Sequence, residues 1–213
     1  MTQIKAAVRG GAKLGSLMRI ISGMAAGRLL KAPKGLAVRP TPDLVKQAVF
    51  NSLGARVVGA WVLELFAGSG ALGLECLSRG AGGVVAIEKA GRHAAMIRAN
   101  LEAAGLPRER LELRTQDVFS ALSQLHTAGR QFDLILADPP FGPKNLGQRS
   151  TSLSQALLDN PLLPRLLAPG GLFVLGHTKR DTLSFPAGWM VGKTLRHGDS
   201  VMCLLRAALV DAP

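Results

Sequence analysis

Between residues 61 and 176, short apolar runs alternate with longer segments whose apolar residues recur at helical spacing. The runs predict strands at 61–66, 83–87, 111–114, 132–137 and 172–176. The segments between them predict helices at 71–79, 90–104, 117–126 and 151–167. Strands joined through helices pair in parallel, and the tail (189–196 and 200–206) predicts an antiparallel hairpin. We therefore expect an α/β chain with a seven-stranded, mostly parallel sheet and an antiparallel C-terminal edge hairpin.

The positive charge of the chain is concentrated near its N-terminus. The net charge is +12, and residues 1–50 hold nine of the 26 Lys and Arg but one acid, Asp43. We expect a basic, disordered extension over 1–17, an arm or β-hairpin over 18–38, and a main domain over 39–213 whose first helix covers 39–54. Phosphate backbones are the usual partners of such basic segments, so the distribution favours a nucleic-acid partner over a surface charged only for solubility.

Several classes of protein are disfavoured. No apolar run approaches the ~18 residues that cross a bilayer, and residues 1–17 lack the continuous apolar block of a secretory signal. Cys76 and Cys203 lack metal-ligand spacing and the four histidines are scattered, so we expect no metal site. Both cysteines are interpreted as reduced core residues of a cytoplasmic protein that makes no membrane contact.

A glycine-rich loop lies between the first predicted strand and the helix that follows. Gly68-x-Gly70-x-x-Gly73, with Glu88 at the end of the next strand, has the spacing of a dinucleotide fingerprint. A nicotinamide oxidoreductase is therefore one candidate. S-adenosylmethionine is the other candidate ligand, since its zwitterionic methionine end suits a carboxylate near the glycine turn, and Glu64 lies there. Asp117, just past a further strand, is either an acceptor for an adenine amino group or a helix N-cap.

The segment Asp138-Pro139-Pro140-Phe141 follows the predicted strand 132–137. Two prolines remove two backbone donors and hold the chain extended, so the strand must end there. A carboxylate and a proline carbonyl could accept hydrogen bonds from an exocyclic amine, and the phenylalanine could stack on its base. If the strands ending at Phe66 and Ala137 are neighbours, the two loops face one crevice. This arrangement favours a methyltransferase that acts on an amine over a dehydrogenase.

Four segments, in order, are similar to the RsmD-type 16S ribosomal RNA guanine-N2 methyltransferases. They are RIISG (19–23), RPTPDLVKQAVFN (39–51), FAGSGALGLE (66–75) and DPPF (138–141). The first two are the more specific, because the other two also occur in DNA amino-methyltransferases. The chain departs from the family pattern at Lys46-Gln47, where Arg-Glu is usual.

The resemblance implies a Rossmann-like class I methyltransferase fold and S-adenosylmethionine as the cofactor. It implies methylation of a guanine N2 amine in ribosomal RNA, within the small ribosomal subunit or its assembly intermediate, by a monomer. The predicted cofactor-binding residues are Arg39, Thr41, Glu64, Phe66, Gly68, Gly70, Glu88 and Asp117. The predicted catalytic residues are Asp138, Pro139, Pro140 and Phe141. A DNA or other RNA amino-methyltransferase, or a non-catalytic RNA-binding assembly factor, remains the alternative.

Overall fold

The computed structural model describes residues 18–32, 43–140, 142 and 149–208. Its strands are β1 (Met18–Arg19), β2 (Leu29–Leu30), β3 (Trp61–Leu65), β4 (Gly83–Ile87), β5 (Leu111–Arg114), β6 (Phe132–Ala137), β7 (Leu167–Thr178), β8 (Trp189–His197) and β9 (Ser200–Ala207). Its α-helices are α1 (Asp43–Leu53), α2 (Ala71–Ser78), α3 (Gly91–Ala104), α4 (Val118–Thr127) and α5 (Leu153–Asp159). Short 3-10 turns cover Gly54–Val57, Arg108–Arg110 and Pro164–Leu166.

The main sheet has seven strands in the order β5-β4-β3-β6-β7-β9-β8. The first five are parallel to one another, whereas β9 runs antiparallel to both β7 and β8. This confirms the predicted mostly parallel sheet and its antiparallel C-terminal hairpin. The strand order reverses between β3 and β6, and ligands of open α/β sheets bind at such a reversal.

Two apolar layers enclose this sheet. One face packs against α1, α2 and α3, and the other against α4 and α5. The central strands are buried on both faces, which is why 83–87 reads as an unbroken apolar run rather than an alternation. No helix within the described ranges is long and apolar enough to cross a membrane.

The N-terminal hairpin joins the core of the main domain. β1 and β2 pair antiparallel, and Met18, Ile20 and Leu30 are buried in the same layer as α1 and α2. The expectation that the basic N-terminal region has little core of its own therefore does not hold for residues 18–30. Residues 1–17 lie outside the described part of the chain.

One helix prediction was wrong in its extent. The helix expected over 151–167 ends at Asp159, and the next strand already begins at Leu167. Pro161 lacks an N–H and disfavours helical geometry in the preceding Asn160, whose backbone is extended (ψ 116°). The helix expected over 39–54 begins, within the described residues, at Asp43.

Candidate active site

The carboxyl ends of β3 and β6 lie side by side. The two strands are parallel neighbours, with Leu65 paired to Ala137. The glycine loop after β3 and the segment that begins at Asp138 therefore leave the sheet at adjacent positions. The predicted adjacency of these two strands is confirmed.

The loop after β3 has an unusual backbone at its start. Phe66 has φ 56° and is the one non-glycine residue with positive φ in the described ranges. A bulky side chain in this region costs roughly 1–3 kcal/mol, and such residues cluster at ligand sites. Gly68 (φ 58°) and Gly70 (φ 78°) continue the turn. A Cβ on Gly70 would also lie 3.0 Å from Ile97 Cγ2, so both its conformation and its space require glycine.

Glu64 lies beneath the first turn of α2. Its side chain is buried, and Oε1 accepts a hydrogen bond from the Leu72 N–H at 3.2 Å. Oε2 has no hydrogen-bond partner among the described residues, and a Cβ on Gly73 would lie 2.5 Å from it. Burial raises the pKa of Glu64 to about 8. The third glycine of the motif therefore makes room for this carboxyl group, and direct contact between Glu64 and a cofactor stays a prediction.

Glu88 connects the glycine loop to the start of α3. Oε2 accepts from the Gly68 N–H at 2.7 Å, and Oε1 accepts from the Ala90 N–H at 2.8 Å. His93 Nδ1 lies 3.5 Å from Oε1, a contact that no sequence motif indicated. Each carboxylate oxygen has a second lone pair, so these contacts leave acceptor sites for ribose hydroxyls.

Asp117 is the N-cap of α4, one of its two predicted roles. Oδ1 accepts from the Phe119 N–H at 2.9 Å and from the Ser120 N–H at 3.3 Å. The other oxygen, Oδ2, lies 3.9 Å from Lys89 Nζ. The capping role is thus present in the structure, while the adenine contact stays a prediction.

Asp138 is half-buried at the end of β6, next to Gly176 of β7. A Cβ on Gly176 would lie 2.3 Å from Asp138 Oδ1, so the carboxylate occupies space that only glycine leaves open. Pro139 is buried and Pro140 is exposed. Sequence reasoning missed Gly176, because a glycine inside an apolar strand indicates a close approach without showing which group approaches.

Three predicted site residues cannot be placed. Arg39, Thr41 and Phe141 lie outside the described part of the chain. Their roles stay predictions, and the structure brings together the other members of the two predicted sets at the carboxyl ends of β3, β4, β5 and β6.

Asn100 joins the N-terminal hairpin to the glycine loop. It is 1% exposed, and its Nδ2 donates to Ser69 O and to Lys31 O, both at 3.0 Å. Its Oδ1 accepts from the Lys31 N–H at 2.8 Å. Met18 Sδ lies 3.6 Å from Ser69 Oγ, a second contact between hairpin and loop. An asparagine inside a helical pattern was the available signal, since a buried amide needs partners.

Lys46, the departure from the family pattern, is completely buried. Its ammonium donates to the Arg19 carbonyl and lies 3.6 Å from Asp43 Oδ1. Burial lowers the pKa of Lys46, although the charges of Glu75 and Asp43 oppose the shift. Glu75, also buried, accepts from the Ile21 N–H at 2.7 Å. These buried charges fasten the N-terminal hairpin to α1 and α2.

Comparison with known proteins agrees with this site. The model of the family described as "Conserved hypothetical protein 95" matches residues 18–206. Ribosomal RNA small subunit methyltransferase D of Haemophilus influenzae is 34% identical over 83% of this chain and 86% of that protein. The solved structure of Escherichia coli yhhF superposes with a TM-score of 0.72 at 29% identity, covering 90% of this chain and 98% of that one.

A more distant structure defines the fold class. The methyltransferase SMU.776, solved in complex with S-adenosylhomocysteine, superposes with a TM-score of 0.67 over 84% of this chain and 53% of that one. At 16% identity this likeness shows the fold alone, which is that of class I methyltransferases. With the family match covering residues 18–206, the chain belongs to the RsmD family.

Proposed function

We propose that this protein transfers a methyl group from S-adenosylmethionine to ribosomal RNA, and that the acceptor is the N2 amine of a guanine in small-subunit RNA. The observation that carries the proposal is the pairing of Leu65 with Ala137, because it sets the glycine loop beside Asp138. The name of the Haemophilus influenzae relative supports a small-subunit RNA substrate. The Asp-Pro-Pro segment at residues 138–140 supports an amine as the acceptor.

The hydrogen bonds of the glycine loop favour S-adenosylmethionine over a dinucleotide. A pyrophosphate at this position needs free backbone N–H groups at the helix N-terminus. Here the N–H groups of Gly68, Gly70 and Leu72 already donate to Glu88, to Ala67 O and to Glu64, respectively. Two carboxyl groups beside the loop would also repel a pyrophosphate, whereas S-adenosylmethionine has no phosphate and carries a positive sulfonium and ammonium.

Each predicted cofactor residue has a position consistent with a separate part of the ligand. Glu88, at the end of β4, is placed for the ribose hydroxyls, and Asp117, after β5, for the adenine amine. Phe66 and the glycines shape the turn on which the methionine end lies. Glu64 acts from beneath this turn by holding the Leu72 N–H. Arg39 and Thr41 complete the proposal as residues that close over the cofactor.

The chemistry at Asp138 is positioning and polarisation. The lone pair of a guanine N2 amine is delocalised into the ring, so the amine is a weak nucleophile. Hydrogen bonds from the amine to the Asp138 carboxylate and the Pro139 carbonyl localise the lone pair and aim it. S-adenosylmethionine, when bound, supplies the methyl group on a positively charged sulfur. Phe141 stacks on the base, a contact worth ~1–3 kcal/mol in comparable sites.

The cofactor assignment is tested by ligand-dependent thermal unfolding. S-adenosylmethionine or S-adenosylhomocysteine at ~100 times its dissociation constant should add ~2.7 kcal/mol to the free energy of unfolding, visible as a raised melting temperature. NAD at the same concentration should leave the melting temperature unchanged. Stabilisation by NAD alone would overturn the assignment.

The reaction is tested with Asp138→Ala and a matched control, Asp133→Ala, at the exposed amino end of the same strand. Asp138→Ala should lower methyl transfer to ribosomal RNA by orders of magnitude while keeping the thermal shift with S-adenosylmethionine. Asp133→Ala should keep its turnover. Mass mapping of ribosomal RNA from cells with and without the gene then identifies the methylated base. A lost methyl group on any atom other than guanine N2 would refute the proposed acceptor.

The same proposal places the protein in the cytoplasm as a monomer, where ribosomal RNA is assembled with its proteins. Both Cys76 and Cys203 are buried free thiols, which suits a reducing compartment. Sedimentation at assay concentration gives the oligomeric state directly, and a dimer would contradict this part of the proposal.

A further inference from the structure

Three exposed cations lie on the same edge of the sheet as Asp138. Lys179 and Arg180 directly follow β7, and Arg196 is near the end of β8. β9 is antiparallel to both strands, so β7 and β8 point the same way, and both His177 of β7 and Arg196 of β8 pair with Val201. Because β7 is also parallel to β6, this basic cluster of Lys179, Arg180 and Arg196 continues the row of strand ends that includes Asp138.

The basic cluster presents more positive than negative charge. Lys179 Nζ lies 2.9 Å from Asp199 Oδ1, and this pair is half-exposed. Within the described ranges, neither Arg180 nor Arg196 forms an ion pair with a carboxylate. Asp181, the other acid beside the cluster, is 5% exposed and therefore offers little charge to solvent. Two guanidinium groups are thus left to attract an anion from outside the protein.

We propose that the basic cluster binds phosphates of the RNA strand next to the target nucleotide. This inference rests on the proposed function and names the surface over which its substrate lies. Neighbouring strands are ~4.8 Å apart, so the three spacings from β6 to β8 put Arg196 about 14 Å from the strand of Asp138. An RNA strand crosses this distance in a few nucleotides. Arginine presents a planar fork of donors that matches a phosphate, and phosphate contacts fix the register of a nucleic acid without reading its sequence.

The position of the cluster is more informative than its charge. Arg56, Arg108 and Arg110 are also exposed, but they precede β3 and β5 and so lie at the opposite, amino-terminal edge of the sheet. A strand that delivers a base to Asp138 passes the carboxyl-terminal edge. We therefore expect only the basic cluster to hold it, and the three arginines provide a control of equal charge.

The test compares the wild-type protein with the triple variant Lys179→Ala/Arg180→Ala/Arg196→Ala and the control Arg56→Ala/Arg108→Ala/Arg110→Ala. The probe is unmethylated small-subunit ribosomal RNA, bound at several salt concentrations and then methylated. Each lost phosphate contact lowers the salt slope by ~0.7–0.9. Between 50 and 200 mM salt, the affinity of the wild-type protein should therefore fall about 20- to 40-fold more than that of the cluster variant. The control should keep the wild-type slope.

The outcomes separate the two proposals. A cluster variant with the wild-type salt slope, or a control with the same loss, would overturn this inference while RNA methylation by the wild-type protein stands. A wild-type protein that neither binds nor methylates the RNA would overturn the proposed function and this inference with it. An unchanged thermal shift with S-adenosylmethionine shows that the cluster variant is folded and that its loss concerns RNA.

Discussion

Gly176→Ala tests whether the position of the Asp138 carboxylate controls catalysis. The added methyl carbon would lie 2.3 Å from Asp138 Oδ1, whereas ordinary contacts begin near 3.4 Å. The carboxylate or its strand must therefore move by about 1 Å, and a displacement of this size can lower a rate by ~10²-fold. The other near atom, Met202 Sδ at 3.1 Å, belongs to a flexible side chain that can shift more easily. We expect turnover about 100-fold below that of the wild-type protein.

The assay is single-turnover methyl transfer to ribosomal RNA at saturating S-adenosylmethionine, with thermal unfolding measured on the same protein. The cofactor should still stabilise the variant, because Gly176 lies on β7 and not beside the glycine loop. Gly192→Ala, on β8, is the control, since its Cβ would meet Leu204 O at 3.4 Å. Near-wild-type turnover by a folded Gly176→Ala protein would refute the argument that Asp138 needs this position.

Three further predictions concern other parts of the molecule. Between pH 5 and 8 the folded chain keeps the proton of Glu64 (pKa about 8) that the unfolded chain has lost, so wild-type stability should fall with rising pH. Denaturant unfolding should show this trend reduced by about 3–5 kcal/mol in Glu64→Gln, and parallel pH curves would contradict the assignment. Asn100→Ala removes three hydrogen bonds that hold the hairpin and glycine loop together. It should weaken S-adenosylmethionine binding as well as stability in titration calorimetry, and unchanged affinity would show that the loop keeps its shape without Asn100. Deleting residues 1–17, which carry Lys5, Arg9 and Lys13, should modestly lower RNA affinity and its salt slope while turnover persists, and a superimposable salt titration would show that this extension does not contact RNA.

Much of the fold follows from local pattern. Apolar runs such as 83–87 have strand length and no polar face, which predicts a strand covered on both sides by helices. Gly105 ends α3 in the left-handed conformation (φ 67°), as expected of a glycine just past a helix. The early end of α5 could also have been read from Pro161, since the physical rule is local.

The sequence by itself determined which residues stand at strand ends and which loops carry glycine, acid and proline. It could not determine which groups touch, because hydrogen bonds between distant segments depend on how helices pack on the sheet. Asn100 reaches Ser69 across 31 positions of sequence, and Gly176 makes room for Asp138 from a neighbouring strand. Glu64 shows the same limit, because its place at a strand end was readable but its burial beneath Leu72 and Gly73 depends on the seating of α2. Burial and close approach arise only when separate elements share one core, and so only the tertiary structure decided them.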